Sequence, residues 1–234
     1  MRPLRELRHQ ALHDRVYDEI RRALMAGQFE PGEKVSSRKL AAVLGTSDMP
    51  VRTAISRLIA EGGLLRRPNG TVCVPLCSRR LYCEGMDLRI ILEGRATYLA
   101  CGNLSGPDFA ALESYSAAVD EAIRKKSVGR YLDANQNLKF TIYNRCGSQL
   151  LLQTLSMLWL KVGPFLRTLA AGLEHLAATN FHDEAINALR RGEAEVAAAA
   201  IRRDLTAGRD LLLATARFQD DLPAQAPLRR RIKP

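Results

Sequence analysis

Apolar residues over the first sixty positions recur at helical rather than alternating spacing. Leu12, Val16, Ile20, Ala23 and Leu24 fall at i, i+4, i+8, i+11 and i+12, a stripe that predicts an amphipathic helix stopping at Gly27. Pro31-Gly32 marks a turn. Ser36 is placed to cap a short helix with Leu40, Ala41 and Leu44 on one face, ended by Gly45. Ser47 is placed to cap the next, with Pro50 tolerated in its first turn and Val51, Ile55 and Leu58 facing inward. Two short helices joined by a glycine-containing turn predict a helix-turn-helix over about residues 36–60. The period then changes. Leu64–Arg67 and Thr71–Val74 flank Pro68-Asn69-Gly70, and Asn-Gly between two short runs predicts a hairpin. Helix, helix-turn-helix and hairpin together predict a winged helix.

Past a cluster of Pro, Gly and Cys between Gly62 and Ser78, the texture becomes long, Ala/Leu-rich and helical. The expected fold is mostly α. A winged helix-turn-helix over residues 1–76 precedes an all-α six-helix bundle over 77–217. Residues 218–234, with three prolines and a basic run without apolar period, read as a disordered tail.

Composition narrows the function. No run of about 18 apolar residues occurs, so a membrane span is not expected. The N-terminal segment is charged throughout and lacks the apolar core of a secretory leader, and the five cysteines are scattered. Both features predict a cytoplasmic protein without a disulfide framework. Lys and Arg number 35 against 25 acids, and half of the +10 net charge falls in residues 1–75. A polyanionic partner is therefore expected at the winged helix.

A helix entering the major groove reads base edges with its first exposed side chains. Here those are Ser47, Asp48, Met49, Arg52 and Thr53, with Arg52 able to grip guanine O6 and N7 in bidentate fashion. Arg38 and Lys39, early in the preceding helix, could reach phosphates or bases, and Asn69 is the side chain the wing tip offers. In the second part, Arg89 and Glu93 are spaced to pair with each other, and Asn135, Lys139 and Tyr143 share one helical face. No phosphate-binding loop, nucleophile elbow or catalytic carboxylate pair is present, and the cysteine spacing does not fit a zinc site. No cofactor is expected.

The stretch HDRVYDEIRRALMAGQFEPGEKVSSRKLAAVLGTSDMPVRTAISRLIAEGGLLRRPNGTVCVP resembles the DNA-binding domain of GntR-family bacterial transcription regulators. More loosely, DLRIILEGRATYLA, YLDANQNLKFTIYNRCGSQLL and NFHDEAINALRRGEAEVAAAAIRRDL resemble the FCD-type helical effector domain of the FadR-like branch. The resemblance implies a homodimer that binds operator DNA, contacts it through arginines matching Arg38 and Arg52, and responds to a small organic acid. It also exposes departures. Many relatives carry Arg or Pro at the position of Asp48, and a basic or His-bearing wing tip at Pro68-Asn69-Gly70.

In metal-binding relatives, an Asp and three His converge at positions matching Asn135, Lys139, His182 and Asp204. A lysine cannot ligate a cation and asparagine is a poor zinc ligand. The expectation is a degraded, metal-free site in which Lys139, paired with Asp204, supplies the positive charge, with Arg89 or Arg167 as a second anchor. The alternatives are a metal-sensing regulator, a helical-bundle enzyme with an accessory DNA-binding module, or an architectural DNA-binding protein without an effector.

Overall fold

The computed structural model describes residues 10–171, 173 and 181–221. Helix α1 (Gln10–Met25) buries Val16, Tyr17, Ile20 and Leu24, while Leu12, expected on the same stripe, is half exposed. Gly27 closes α1: at φ +62° its N–H bonds to Leu24 O at 3.0 Å, and the next N–H reaches Ala23 O at 3.0 Å. That pair of bonds satisfies carbonyls the helix leaves open. Helix α2 (Ser37–Val43) begins at Ser36, whose side chain accepts the Lys39 N–H, and turns through Gly45 into α3 (Asp48–Ala60). Ser47 occupies the cap position of α3 but makes no side-chain capping bond, against expectation. Val51, Ile55 and Leu58 point into the core as their spacing required.

The wing is a minimal antiparallel pair, β1 (Leu65–Arg66) and β2 (Val72–Cys73), in register Leu65 with Cys73 and Arg66 with Val72. Its tip closes with Gly70 N–H to Arg67 O at 2.9 Å and Arg67 N–H to Thr71 O at 2.8 Å. Gly70 takes φ +81°, which Asn-Gly supplies cheaply. Lys34 adds an isolated bridge to Cys73, so the hairpin gains a short third edge.

Among the described residues six α-helices follow: α4 (Arg79–Ala100), α5 (Gly106–Arg124), α6 (Val128–Tyr143), α7 (Gln149–Leu166), α8 (Phe181–Arg190) and α9 (Ala194–Thr215). Helix α4 packs along α9, α5 along α6, and α8 along α9. Helix α7 joins the two halves, because it touches both α4 and α1. That contact is very close: a Cβ on Gly163 would lie 2.5 Å from Met25 O. On the α1 side, a Cβ on Gly27 would lie 3.1 Å from Gly163 O.

The chain end departs from expectation. Phe218, placed in the tail by its sequence, is fully buried between Tyr82 and Phe165, and Gln219–Asp221 form a 3-10 turn. The turn is stitched to the interdomain linker by Gln219 N–H to Cys77 O (2.9 Å) and to the start of α4 by Arg79 N–H to Asp220 (2.9 Å). Three aromatic rings outweigh the local polar composition. The rest of the expected tail lies outside the described residues.

Candidate functional site

One surface gathers cations. Arg38 from α2 and Arg52 from α3 line a cleft of about 510 Å³ together with Lys34 and Arg66 from the wing. Lys34 and Arg66 are not distinguished by sequence spacing; the fold recruits them by setting the bridge at Lys34 beside β1 and β2. Met49 stands 73% exposed at the start of α3, beside the exposed Ser47. Lys39 and Thr53 are also exposed, but neither lines the cleft, and the Thr53 hydroxyl donates back to Met49 O at 3.2 Å. Asn69 sits at the wing tip with its side-chain oxygen accepting from Thr71 N–H at 3.0 Å. Asp48 is only partly exposed, and its carboxylate lies 3.6 Å from Arg52. The acidic residue therefore screens the best candidate base reader.

A second cluster lies inside the helical domain. Glu93 on α4 is fully buried, and three donors converge on it: Arg89 Nε (2.6 Å), Trp159 Nε1 (2.9 Å) and the Tyr143 hydroxyl (2.5 Å). The Arg89 guanidinium also stacks 4.1 Å from the Trp159 ring centre. Lys139, only 1% exposed, donates to Asp204 on α9 at 2.5 Å and lies 4.0 Å from Glu93. His182 Nε2 is 3.2 Å from Asn135 Oδ1 and 3.5 Å from Asp204. Two cations face two carboxylates, so the centre is neutral when His182 is uncharged. Burial lowers the His182 pKa, and Lys139 adds to that against the pull of Asp204. For Asp204, burial pushes upward, but Lys139 and His182 outweigh it and hold the carboxyl below its ordinary value. Burial, with Glu93 beside it, raises Tyr143 far above the ordinary phenol range.

Arg89, Asn135, Lys139, Tyr143, His182 and Asp204 thus meet in one place, and Arg89 pairs with Glu93 as its spacing required. Arg167 does not join them. It follows α7 at the opposite boundary, donating to Gly27 O at 3.4 Å and facing Glu30 at 3.6 Å. A position one residue past the helix end gives no sequence signal of which side it faces. Glu93 as the hub and Trp159 as its donor were missed; the single tryptophan of the chain was the available hint.

The donor set does not fit a metal. Lys139 Nζ already sits against the Asp204 carboxylate, where a cation would need that oxygen, and among the described residues no group of three His, Cys, Asp or Glu converges.

Residues 12–74 match the DNA-binding region described as bacterial regulatory proteins, gntR family, and residues 84–207, over half of the chain, match the FCD domain. The chain belongs to the GntR family, FCD branch. Among relatives of this GntR protein, the HTH-type transcriptional regulator McbR of Escherichia coli is 29% identical over 164 residues, 70% of this chain and 74% of McbR. The Nta operon transcriptional regulator of Aminobacter aminovorans is also 29% identical, over 54% of this chain and 60% of its own. The solved E. coli McbR/YncC structure superposes with a TM-score of 0.78 at 25% identity, covering 87% of this chain and 97% of that one. A Rhodococcus GntR structure shares the fold, with a TM-score of 0.69 at 19% identity, covering 89% of this chain and 100% of that one. This GntR chain is a transcriptional regulator and not an enzyme: its relatives are named as regulators and both matched domains are regulatory. No helix among its described residues is long and apolar enough to cross a membrane.

Proposed function

We propose that this regulator works in the cytoplasm as a homodimer whose grip on operator DNA is set by a small carboxylate held at the Lys139 centre. The observation that carries the reading is a nearly inaccessible ammonium that spends one of its three donors on Asp204. Its remaining donors, with Asn135 and His182 beside it, suit a carboxylate oxygen. Adding an anion to a neutral buried centre is costly unless a proton comes with it. His182 is the group that takes it up, so effector affinity rises as pH falls.

On the DNA side, α3 presents Ser47, Met49, Arg52 and Thr53 to base edges, while Arg38, Lys34 and Arg66 hold phosphates and Lys39 and Asn69 flank them. Apolar Leu81, Leu88 and Ile91 and the ring of Tyr98 lie exposed along one face of α4. A second copy covering that stripe would present two recognition helices to a two-fold operator. Effector occupancy shifts the relation of the two winged helices through α7, which touches both the winged helix and the buried centre.

The test is operator selection from random DNA, then titration at two salt concentrations. Arg52→Ala is expected to cost about 1–3 kcal/mol on the selected site and to relax one base pair. Lys39→Ala is expected to weaken all DNA alike, with a salt slope shallower by about one unit. Unchanged operator affinity in Arg52→Ala would rule out this placement of α3.

A further inference from the structure

Among the described residues of α3, Met49 is the one large apolar side chain left open to solvent, at 73% exposure, while Val51, Ile55 and Leu58 turn into the core. A lone exposed methionine is ordinary on a protein surface, and it is the neighbours of this one that give it a role. Arg52 and Thr53 follow at i+3 and i+4 and are exposed as well, so the three side chains share the outer face of the helix. The Arg52 guanidinium lies 3.6 Å from Asp48, which sets it back over the first turn, beside Met49. The Thr53 hydroxyl spends its proton on Met49 O at 3.2 Å, so this residue adds a methyl rather than a donor to the outward face. The start of α3 thus offers a planar cationic fork and, next to it, an apolar patch. In the major groove these suit two different base edges. The fork fits guanine O6 and N7, whereas the apolar patch has one counterpart there, the C5-methyl of thymine.

We propose that Met49 is a specificity-determining residue that reads a thymine methyl, and that each half-site carries this T·A pair within about two steps of the G·C pair held by Arg52. The spacing follows from the helix: three residues advance about 4.5 Å along its axis, against about 3.4 Å per base-pair step. An unbranched thioether chain is flexible enough to settle against the methyl without a preformed pocket. The assignment rests on α3 being the helix that enters the groove, and it adds to that reading the base feature an apolar side chain can recognise.

Uracil lacks only that methyl and pairs identically, so a thymine-to-uracil scan of the selected operator isolates the contact. The full chain is titrated onto operators carrying one uracil each, followed by fluorescence anisotropy at fixed salt. With the unaltered chain, one thymine per half-site, in the window set by the guanine, is expected to lose about fourfold in affinity on becoming uracil, the weight of one buried methyl group. Met49→Ala is expected to bind the thymine and uracil operators equally, and Met49→Leu to keep the preference. Both changes fall at an exposed position and spare the core. 7-Deazaguanine in place of the guanine removes N7 and serves as the control: its penalty is expected to persist in Met49→Ala and to disappear in Arg52→Ala. No uracil-sensitive thymine in that window, or a uracil penalty that survives in Met49→Ala, would overturn the proposal. If the 7-deazaguanine penalty stands in that case, the thymine assignment alone falls. If it is absent too, α3 is not the reading helix and both readings fall together.

Discussion

Replacing Lys139 with methionine keeps most of the side-chain volume while deleting the charge. Asp204 then loses its 2.5 Å partner, and Glu93 loses a cation at 4.0 Å but keeps Arg89, Trp159 and Tyr143. The damage therefore concentrates on Asp204. Breaking one side of a buried ion pair costs about 3–5 kcal/mol. Asp204 keeps 17% of its side-chain exposure, and His182 lies 3.5 Å away, which together set the expected loss near the lower end. At roughly 2–4 °C per kcal/mol for a chain of this size, a loss of about 3 kcal/mol lowers Tm by about 6–12 °C. Urea unfolding at pH 7.5, followed by circular dichroism, gives the free energy directly. Lys139→Met/Asp204→Asn should recover much of it, since no unpaired carboxylate remains. The deficit should also shrink in acid: without Lys139 the folded Asp204 binds its proton more tightly than the unfolded chain does, so lowering pH favours the folded variant. A loss below about 1 kcal/mol, or no recovery in the double variant, would refute a buried, mutually dependent pair.

Three further expectations follow from other contacts. Asp48→Asn releases Arg52 from a carboxylate 3.6 Å away, so nonspecific DNA should bind about threefold tighter at low salt by fluorescence anisotropy; loss of operator recognition would instead make Asp48 a base reader. Because burial depresses the His182 pKa in the folded chain, the unfolded chain binds more protons as pH falls through its ordinary value, and stability should drop between about pH 7 and pH 5. His182→Gln should flatten that slope in thermal melts. Gly163→Ala puts a methyl 2.5 Å from backbone, which cannot swing aside, and should cost about 1–3 kcal/mol while exposing the linker near Cys77 to limited proteolysis.

The winged helix was legible because each part is a local matter: the spacing of Val51, Ile55 and Leu58, the glycine at the turn, and Asn-Gly at the wing. Contacts between distant segments were harder. The pairing of Lys139 with Asp204 came from the family resemblance, which set both at positions of one site, joined to the cost of leaving a buried ammonium unpaired, whereas Glu93 as the hub required knowing that α4, α6 and α7 converge. Arg167 was misplaced because a helix end carries no periodicity. Phe218 was misjudged because composition described its polar neighbours rather than the aromatic pocket waiting 136 residues earlier, at Tyr82.

The stitch between the linker and the 3-10 turn sets an order of events during synthesis. Arg79 bonds to Asp220 across 141 residues, and Gln219 reaches back to Cys77. A growing chain completes the winged helix long before Gln219 and Asp220 have left the ribosome, and domains fold as units from the N-terminus. During that interval the linker and the start of α4 lack these bonds. Premature termination ahead of residue 218 would leave a chain that still carries every residue of the winged helix, but whose linker and α4 start never gain these two bonds.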